Sequence, residues 1–344
     1  MRSTFPKWRA ALAGLAVAAM AATTLVGTAG TAQAAPSLTK GLKVFVVPKN
    51  LGNSYFTTAD SVKSGGALAA LQQLGEIGQE TSGTTDTPAS QLPVIQADIT
   101  KGANALIISG TDPAALCPTL NAAMKKGITV VTYDSDTNCR SLFIEQATAQ
   151  GIGAIEVDLL AAEIHDTGQI AIVSASIDDT NQNTWIGYMK QELKKFPKIT
   201  LVKIVYGNDD TATSTQVTEG LLSGYPNLKG IISPTSVGLP AVAAVLDSAK
   251  YRGKIYATGL ATPNEMKKYI ADGTVIAFAL WNPANLGYLA AYAAVELASH
   301  AITNAPGQTF VAGKLGKYVV GADHTVLLGA PFVLNKSNVN QFNF

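Results

Sequence analysis

The chain has 344 residues, 25 Lys and Arg against 24 Asp and Glu, and 47% hydrophobic residues. This near-neutral balance gives no counterion-release drive toward nucleic acid, no polybasic membrane patch and no field aimed at a charged substrate. The histidines, His165, His300 and His324, are far apart and form no ligand-spaced metal cluster, so neither a metal nor a cofactor is expected.

Arg2, Lys7 and Arg9 precede an apolar run over 10–26 and a small-residue stretch containing Ala32-Gln33-Ala34. This is the layout of a secretory signal, and it predicts a signal peptide over 1–34 with cleavage after Ala34. The alternative, a retained membrane anchor, fits the Ala, Gly and Thr content and the cleavage site less well. No cysteine lies near the junction, so the exported protein, periplasmic or extracellular, is expected not to be lipid-anchored. Roughly 310 residues then remain, more than one hydrophobic core usually serves, and two lobes are expected.

Short β-branched runs alternate with segments of helical period, the pattern of an α/β fold with parallel sheets flanked by helices. The first half predicts a strand at 43–47, a helix at 57–74, a weak strand at 76–81, a helix at 89–101, a strand at 105–109, a helix at 113–125 and a strand at 129–133. The rhythm restarts with strands at 169–175, 200–205, 229–233, 254–258 and 275–280, separated by helices at 184–196, 213–223, 239–249 and 264–271. An apolar helix at 286–302 follows, interrupted by Glu296 and His300 and therefore assigned to the core, and then strand-like runs at 325–328 and 332–334. Gly151-Ile152-Gly153 opens a further helix, where it reads as a close-packing site.

Cys117 and Cys139, the two cysteines of an exported chain, read more readily as a disulfide than as metal ligands. Two buried thiols in neighbouring elements are the alternative.

Ligands of open parallel sheets bind beyond the carboxyl ends of the strands. The residues there are largely polar, amide-bearing or aromatic, which suits hydroxyl recognition: carboxylates accept, amides do both, and aromatic faces cover C–H surfaces. Asp134 is the strongest candidate, because a carboxylate accepts hydroxyl hydrogens more strongly than a neutral group. Lys49 is a donor and a countercharge for it. Asn181 and Gln182 stand before the predicted helix, where they could equally cap it. Tyr55, Phe56, Trp185 and Trp281 supply stacking planes or core, Asn53 and Asn282 amides, and Pro234 and Ser236 backbone and small side-chain contacts.

Five runs carry a resemblance: Val47-Pro48-Lys49-Asn50-Leu51-Gly52-Asn53-Ser54-Tyr55-Phe56, Tyr133-Asp134-Ser135-Asp136-Thr137 with Cys139-Arg140, Thr180-Asn181-Gln182-Asn183-Thr184-Trp185, Pro234-Thr235-Ser236-Val237-Gly238, and Trp281-Asn282-Pro283. In this order, over nearly the whole mature chain, they resemble the sugar-binding proteins of ABC importers with a ribose-binding-like fold, in the rhamnose-binding and autoinducer-2-binding branch. The resemblance implies the type I periplasmic binding protein fold, two Rossmann-like lobes joined by a three-segment hinge. It places the lobes at 35–146 plus 284–321 and at 147–283 plus 322–344, with crossings near Ala147, Pro283 and Asp323. It also implies a small neutral sugar or sugar-like ligand, an ABC permease as partner, a monomer, and no enzymatic activity.

In the autoinducer-2 branch the ligand contacts fall at the positions of Lys49, Asp134, Asn181, Gln182, Pro234 and Ser236. Asn181 and Ser236 replace that branch's aspartate and alanine and resemble the rhamnose-binding branch, as do Leu51-Gly52-Asn53 and Trp281-Asn282-Pro283. Pro48-Lys49 and Cys139-Arg140 lean toward autoinducer-2, so both ligands stay open. Ribose-type relatives carry an aspartate where this chain has Leu260-Ala261, which suits a ligand with fewer hydroxyls or a methyl group there. A receptor that signals instead of importing would use the same pocket. An enzyme is disfavoured by the lack of a G-x-S-x-G elbow, a phosphate-cradling loop or a metal cluster. A sugar-responsive repressor would need DNA-binding helices where the export signal stands.

Overall fold

The computed structural model describes residues 37–344; the signal peptide expected at 1–34 lies outside them. The first series runs β1 (Lys43–Val47), α1 (Ser54–Asp60), α2 (Ala67–Leu74), β2 (Ile77–Glu80), α3 (Pro88–Thr100), β3 (Ala105–Ile108), α4 (Pro113–Lys125), β4 (Thr129–Tyr133) and β5 (Leu142–Glu145). Strands β1, β3 and β4 are almost wholly buried and apolar, as strands covered on both faces must be. Helices α3 and α4 start where Thr87 and Asp112 cap the first amides and Pro88 and Pro113 take the first helical position.

The second series runs α5 (Ala149–Glu163), β6 (Gly168–Ser174), α6 (Thr180–Glu192), β7 (Ile199–Tyr206), α7 (Thr211–Gly224), β8 (Leu228–Ser233), α8 (Gly238–Leu246), β9 (Tyr256–Gly259), α9 (Pro263–Ala271) and β10 (Ala277–Leu280). The tail adds α10 (Pro283–Ala298), a hairpin of β11 (Thr309–Val311) and β12 (Lys317–Val319), then β13 (Thr325–Leu327) and β14 (Phe332–Asn335). One sheet has the order β13-β5-β4-β3-β1-β2 and the other β7-β6-β8-β9, all strands parallel. Antiparallel β10 and β14 continue from β9 through a bridge between Leu260 and Ala279.

Three segments differ from expectation. The helix expected at 57–74 is two, because Ser61 turns extended after α1 and Gly65 takes a positive φ of 77°. Gly66 sits so close to α1 that a Cβ there would lie 2.0 Å from the Ala59 carbonyl oxygen. Helix α6 starts at Thr180, placing Asn181 and Gln182 in its first turn rather than before it. Strand β13, expected with the second lobe, pairs with β5 in the first sheet, so the chain leaves that sheet after Leu327 and not near Asp323. The closing of the sheet edge beyond β5 decides this, because β5 offers a free hydrogen-bonding edge there.

Helix α10 is buried along most of its length against α1, α2, β3 and β4, consistent with a core helix. No helix among the described residues is long and apolar enough to cross a membrane. Its Gly287 also faces Ala59: a Cβ would lie 1.9 Å from the same carbonyl oxygen. Backbone cannot yield as a flexible side chain can, so Gly287→Ala is expected to lower stability by about 3 kcal/mol or more, at the upper end of overpacking costs. Urea unfolding measures this; a change below about 1 kcal/mol would show that α10 can slide away.

Candidate functional site

The carboxyl ends of the two sheets face one cleft. The end of β1 delivers Lys49, and the turn after it leads into α1, whose cap Asn53 accepts from Tyr55 N at 3.0 Å. This fixes Tyr55 and Phe56 at the first helical turn, on the cleft wall. Asp134 follows β4 at a positive φ of 60°, while Ser135 N donates to Tyr133 O at 2.6 Å. That tight turn, tolerated by aspartate better than by most residues, aims the carboxylate at the cleft.

From the second sheet come Asn181, Gln182 and Trp185 on α6, Asp209 after β7, Pro234, Thr235 and Ser236 after β8, and Leu260 after β9. Leu280 and Trp281 close the wall where β10 leads into α10. The Trp281 indole donates to the Tyr55 hydroxyl at 2.8 Å and packs edge-on against both Tyr55 and Trp185, so the aromatic wall is one interlocked unit.

Direct contacts join the two sheets across the cleft. Lys49 Nζ lies 2.9 Å from Asp179 Oδ1 and donates to Asn181 Oδ1 at 3.4 Å; Asn181 Nδ2 donates to Asp134 Oδ2, also at 3.4 Å. Ser236 Oγ donates to Asn53 Oδ1 at 3.2 Å, and at the rim Ser54 Oγ donates to Glu265 Oε2 at 2.8 Å. Gln182 spends its carbonyl oxygen on Ser174 Oγ (2.7 Å) and Ala175 N (2.9 Å), and its amide nitrogen has no partner among the described residues. The same Asp134 Oδ2 also accepts from Ser109 Oγ at 2.8 Å.

Lys49 is buried, which opposes its charge, yet Asp179, Asp86, Asp134 and Asp209 together hold its pKa above the ordinary lysine value. The carboxylates respond in the other direction. Burial pushes Asp86 up to about 8, against the pull of Lys49, and neither of its oxygens has a hydrogen-bond partner among the described residues. Burial also raises Asp209 to about 6, with Lys49 opposing, and raises Asp134 despite Lys49 and the Ser109 hydroxyl. One ammonium among four carboxylates leaves the site short of positive charge, which favours hydrogen-donating ligand groups over anions.

Cys117 on α4 and Cys139, in the loop that begins at Asp134, are bonded with their Cα atoms 5.5 Å apart. Arg140 in the same loop pairs with Asp136 at 3.0 Å and donates to Asp323 O at 2.8 Å. The loop is thus tied at two points. Closing a loop of separation 22 stabilises by about 3 kcal/mol through the unfolded chain. The Cys117→Ala/Cys139→Ala double variant should lose that amount in urea unfolding, and an equal stability would contradict it.

Of the residues selected from sequence, Lys49, Asn53, Tyr55, Phe56, Asp134, Asn181, Gln182, Trp185, Pro234, Ser236 and Trp281 line the cleft. Asn282 does not: its Oδ1 accepts from Asn285 N at 3.1 Å and caps α10. Asp209 and Leu280 on the wall are absent from the sequence candidates; Leu260 is the apolar replacement noted there, Thr235 stands within the Pro234-Thr235-Ser236 run, and Asp86 and Asp179 lie at strand ends without being selected as contacts. Asp209 stands in Gly207-Asn208-Asp209-Asp210, between a strand and a helix, where the strand-end rule would have found it. Gly153 marks a real close approach, since a Cβ there would lie 2.7 Å from Trp185 O on α6.

A family model described as periplasmic binding protein domain matches residues 44–301. A solute-binding protein of an ABC transporter from Clostridium phytofermentas, solved with bound L-rhamnose, is 33% identical with a TM-score of 0.84, over 89% of this chain and 98% of that one. LsrB of Clostridium saccharobutylicum in complex with AI-2 is 25% identical with a TM-score of 0.82, over 88% and 100%. The D-ribose/D-allose-binding protein of Pseudomonas aeruginosa is 23% identical over 245 residues, 69% of this chain and 76% of that protein. A two-sheet fold, a cleft at the strand ends and these relationships agree: the chain belongs to the periplasmic binding protein family, among the sugar-binding solute-binding proteins of ABC transporters, which are binders and not enzymes.

Proposed function

We propose that the protein is the exported capture subunit of an ABC sugar importer, and that its ligand is a small neutral deoxy sugar of the L-rhamnose kind. The observation that carries this reading is the mixed lining of the cleft: Lys49, Asp134, Asn181 and Gln182 can read hydroxyls, while Leu260, Leu280, Trp185 and Trp281 offer apolar surface suited to a methyl group. The rhamnose-bound relative is also the more similar of the two branch members, at 33% against 25%.

The lobes would be built on the two sheets, 37–146 with 284–327 and 147–283 with 328–344. They close as a hinge because ligand bridges both only in the closed form. The direct contacts between Lys49 and Asp179, and between Ser236 and Asn53, support a closed arrangement in which little more than the ligand must be added. The closed monomer would dock on its permease. A second reading, autoinducer-2 as ligand, is favoured by the buried Lys49 beside Asp134, which offers a charged donor to a compact diol.

Trp185 and Trp281 on the wall make intrinsic fluorescence the assay. Titration with L-rhamnose, L-fucose, D-ribose and autoinducer-2 should give a saturable change with a deoxy sugar at the lowest concentration. Saturation by autoinducer-2 alone would replace the first reading with the second, and silence toward all four would overturn both.

A further inference from the structure

Asp209 lies in the loop after β7, the edge strand of the second sheet, and lines the cleft. Asn208 and Asp209 both take positive φ, 54° and 47°, a conformation that non-glycine residues keep only where the surroundings hold it. The Asp209 Oδ1 accepts from the Thr235 hydroxyl, itself on the wall, whereas Oδ2 has no hydrogen-bond partner among the described residues, and the half-buried side chain lines the cleft. A side chain fixed on one oxygen and open on the other is a prepared acceptor. The second sheet therefore presents a carboxylate from the β7 end and an apolar side chain, Leu260, from the β9 end.

We propose that Asp209 is a ligand-reading residue, accepting a hydroxyl hydrogen of the captured sugar from the second sheet while Asp134 reads another from the first. This rests on the sugar-capture reading and sharpens it: the ligand must carry hydroxyls at both carboxylates and its apolar edge at Leu260. The acceptor works as a carboxylate, so binding favours its ionised form. Its surroundings include Lys49 from β1, Asp86 from the loop before α3, Asp134 from β4, Asp179 from the loop before α6, and Thr235 from β8. With the free carboxyl raised to about 6, affinity should fall as pH drops through that value, by roughly ten-fold between pH 7.5 and 5 if the ligand holds the group ionised.

The test is calorimetric titration of wild type, Asp209→Asn and Asp209→Ala with L-rhamnose and L-fucose from pH 5 to 8, with thermal melts beside it. Asp209→Asn keeps an oxygen for Thr235 and so keeps the fold. Asp209→Ala should bind at least ten-fold more weakly at pH 7.5, and Asp209→Asn should lose the break near pH 6. Equal affinities and equal pH profiles with a binding wild type would overturn the role of Asp209 alone. A loss in Asp209→Ala that Asp209→Asn restores with its pH break intact would make Asp209 structural and would also overturn it. A wild type that binds neither sugar would take down the capture of a deoxy sugar and this assignment with it.

Discussion

Lys49→Met should destabilise the protein by about 3–5 kcal/mol at pH 8 and by clearly less at pH 5, because it leaves buried carboxylates without their countercharge. Lys49 is 2% exposed and sits 2.9 Å from an Asp179 that is fully buried. Its folded pKa lies above the unfolded one, so its own stabilising contribution is complete below about 10.5 and constant between pH 5 and 8. The pH dependence comes from the acids. Asp86 and Asp209 have folded values raised to about 8 and about 6 from 3.8, so the folded state binds more protons than the unfolded one in that window. Stability therefore declines as pH rises from about 4 toward those values. Without Lys49 the carboxyls rise further, and the decline steepens. Urea unfolding of both proteins at pH 5 and 8 measures the difference. A penalty that is independent of pH would mean that Lys49 matters as packing and not as charge.

Asp134→Ala acts on binding. Loss of a hydrogen bond to a charged acceptor costs about 1.5–3 kcal/mol, so sugar affinity should fall by roughly ten- to hundred-fold or more. Stability should change little by comparison, because removing one of four acids around Lys49 relieves repulsion among the remaining three. The contrast with Asp136→Ala is informative. The Asp136 carboxylate is held by Thr132 Oγ1 at 2.6 Å and by Arg140, so it organises the loop and lies outside the main cleft wall. Asp136→Ala should cost stability and leave affinity within a few fold. Unchanged affinity in Asp134→Ala would move the site elsewhere in the cleft.

The sheets were legible because β1, β3, β4, β6 and β8 are short apolar runs bounded by helices with proline and Asx or threonine starts. Most of the cleft was legible for a related reason: parallel strands must end at one edge, so the residues after them converge. What stayed hidden depended on long-range pairing. β5, four residues, is too short to carry a period and is a strand because its neighbours offer edges, whereas β13, expected as a strand-like run at 325–328, hid only the sheet it joins. Asn282 shows the ambiguity of amides, since an asparagine before a proline-started helix satisfies a cap as readily as a ligand. The cluster around Lys49 was legible only as separate strand ends. Asp86 and Asp179 belong to different sheets' loops, and only folding brings both to one ammonium.

The most direct measurement is isothermal titration of the wild-type protein with L-rhamnose at pH 7.5, with glucuronate as an acidic control. Capture of a neutral deoxy sugar between the two sheets predicts one site per chain, a saturable heat with a Kd in the micromolar range or below, and none with glucuronate, whose carboxylate would face an acid-rich cleft. No heat with L-rhamnose or any other neutral sugar, or tighter binding of the acidic one, would contradict it.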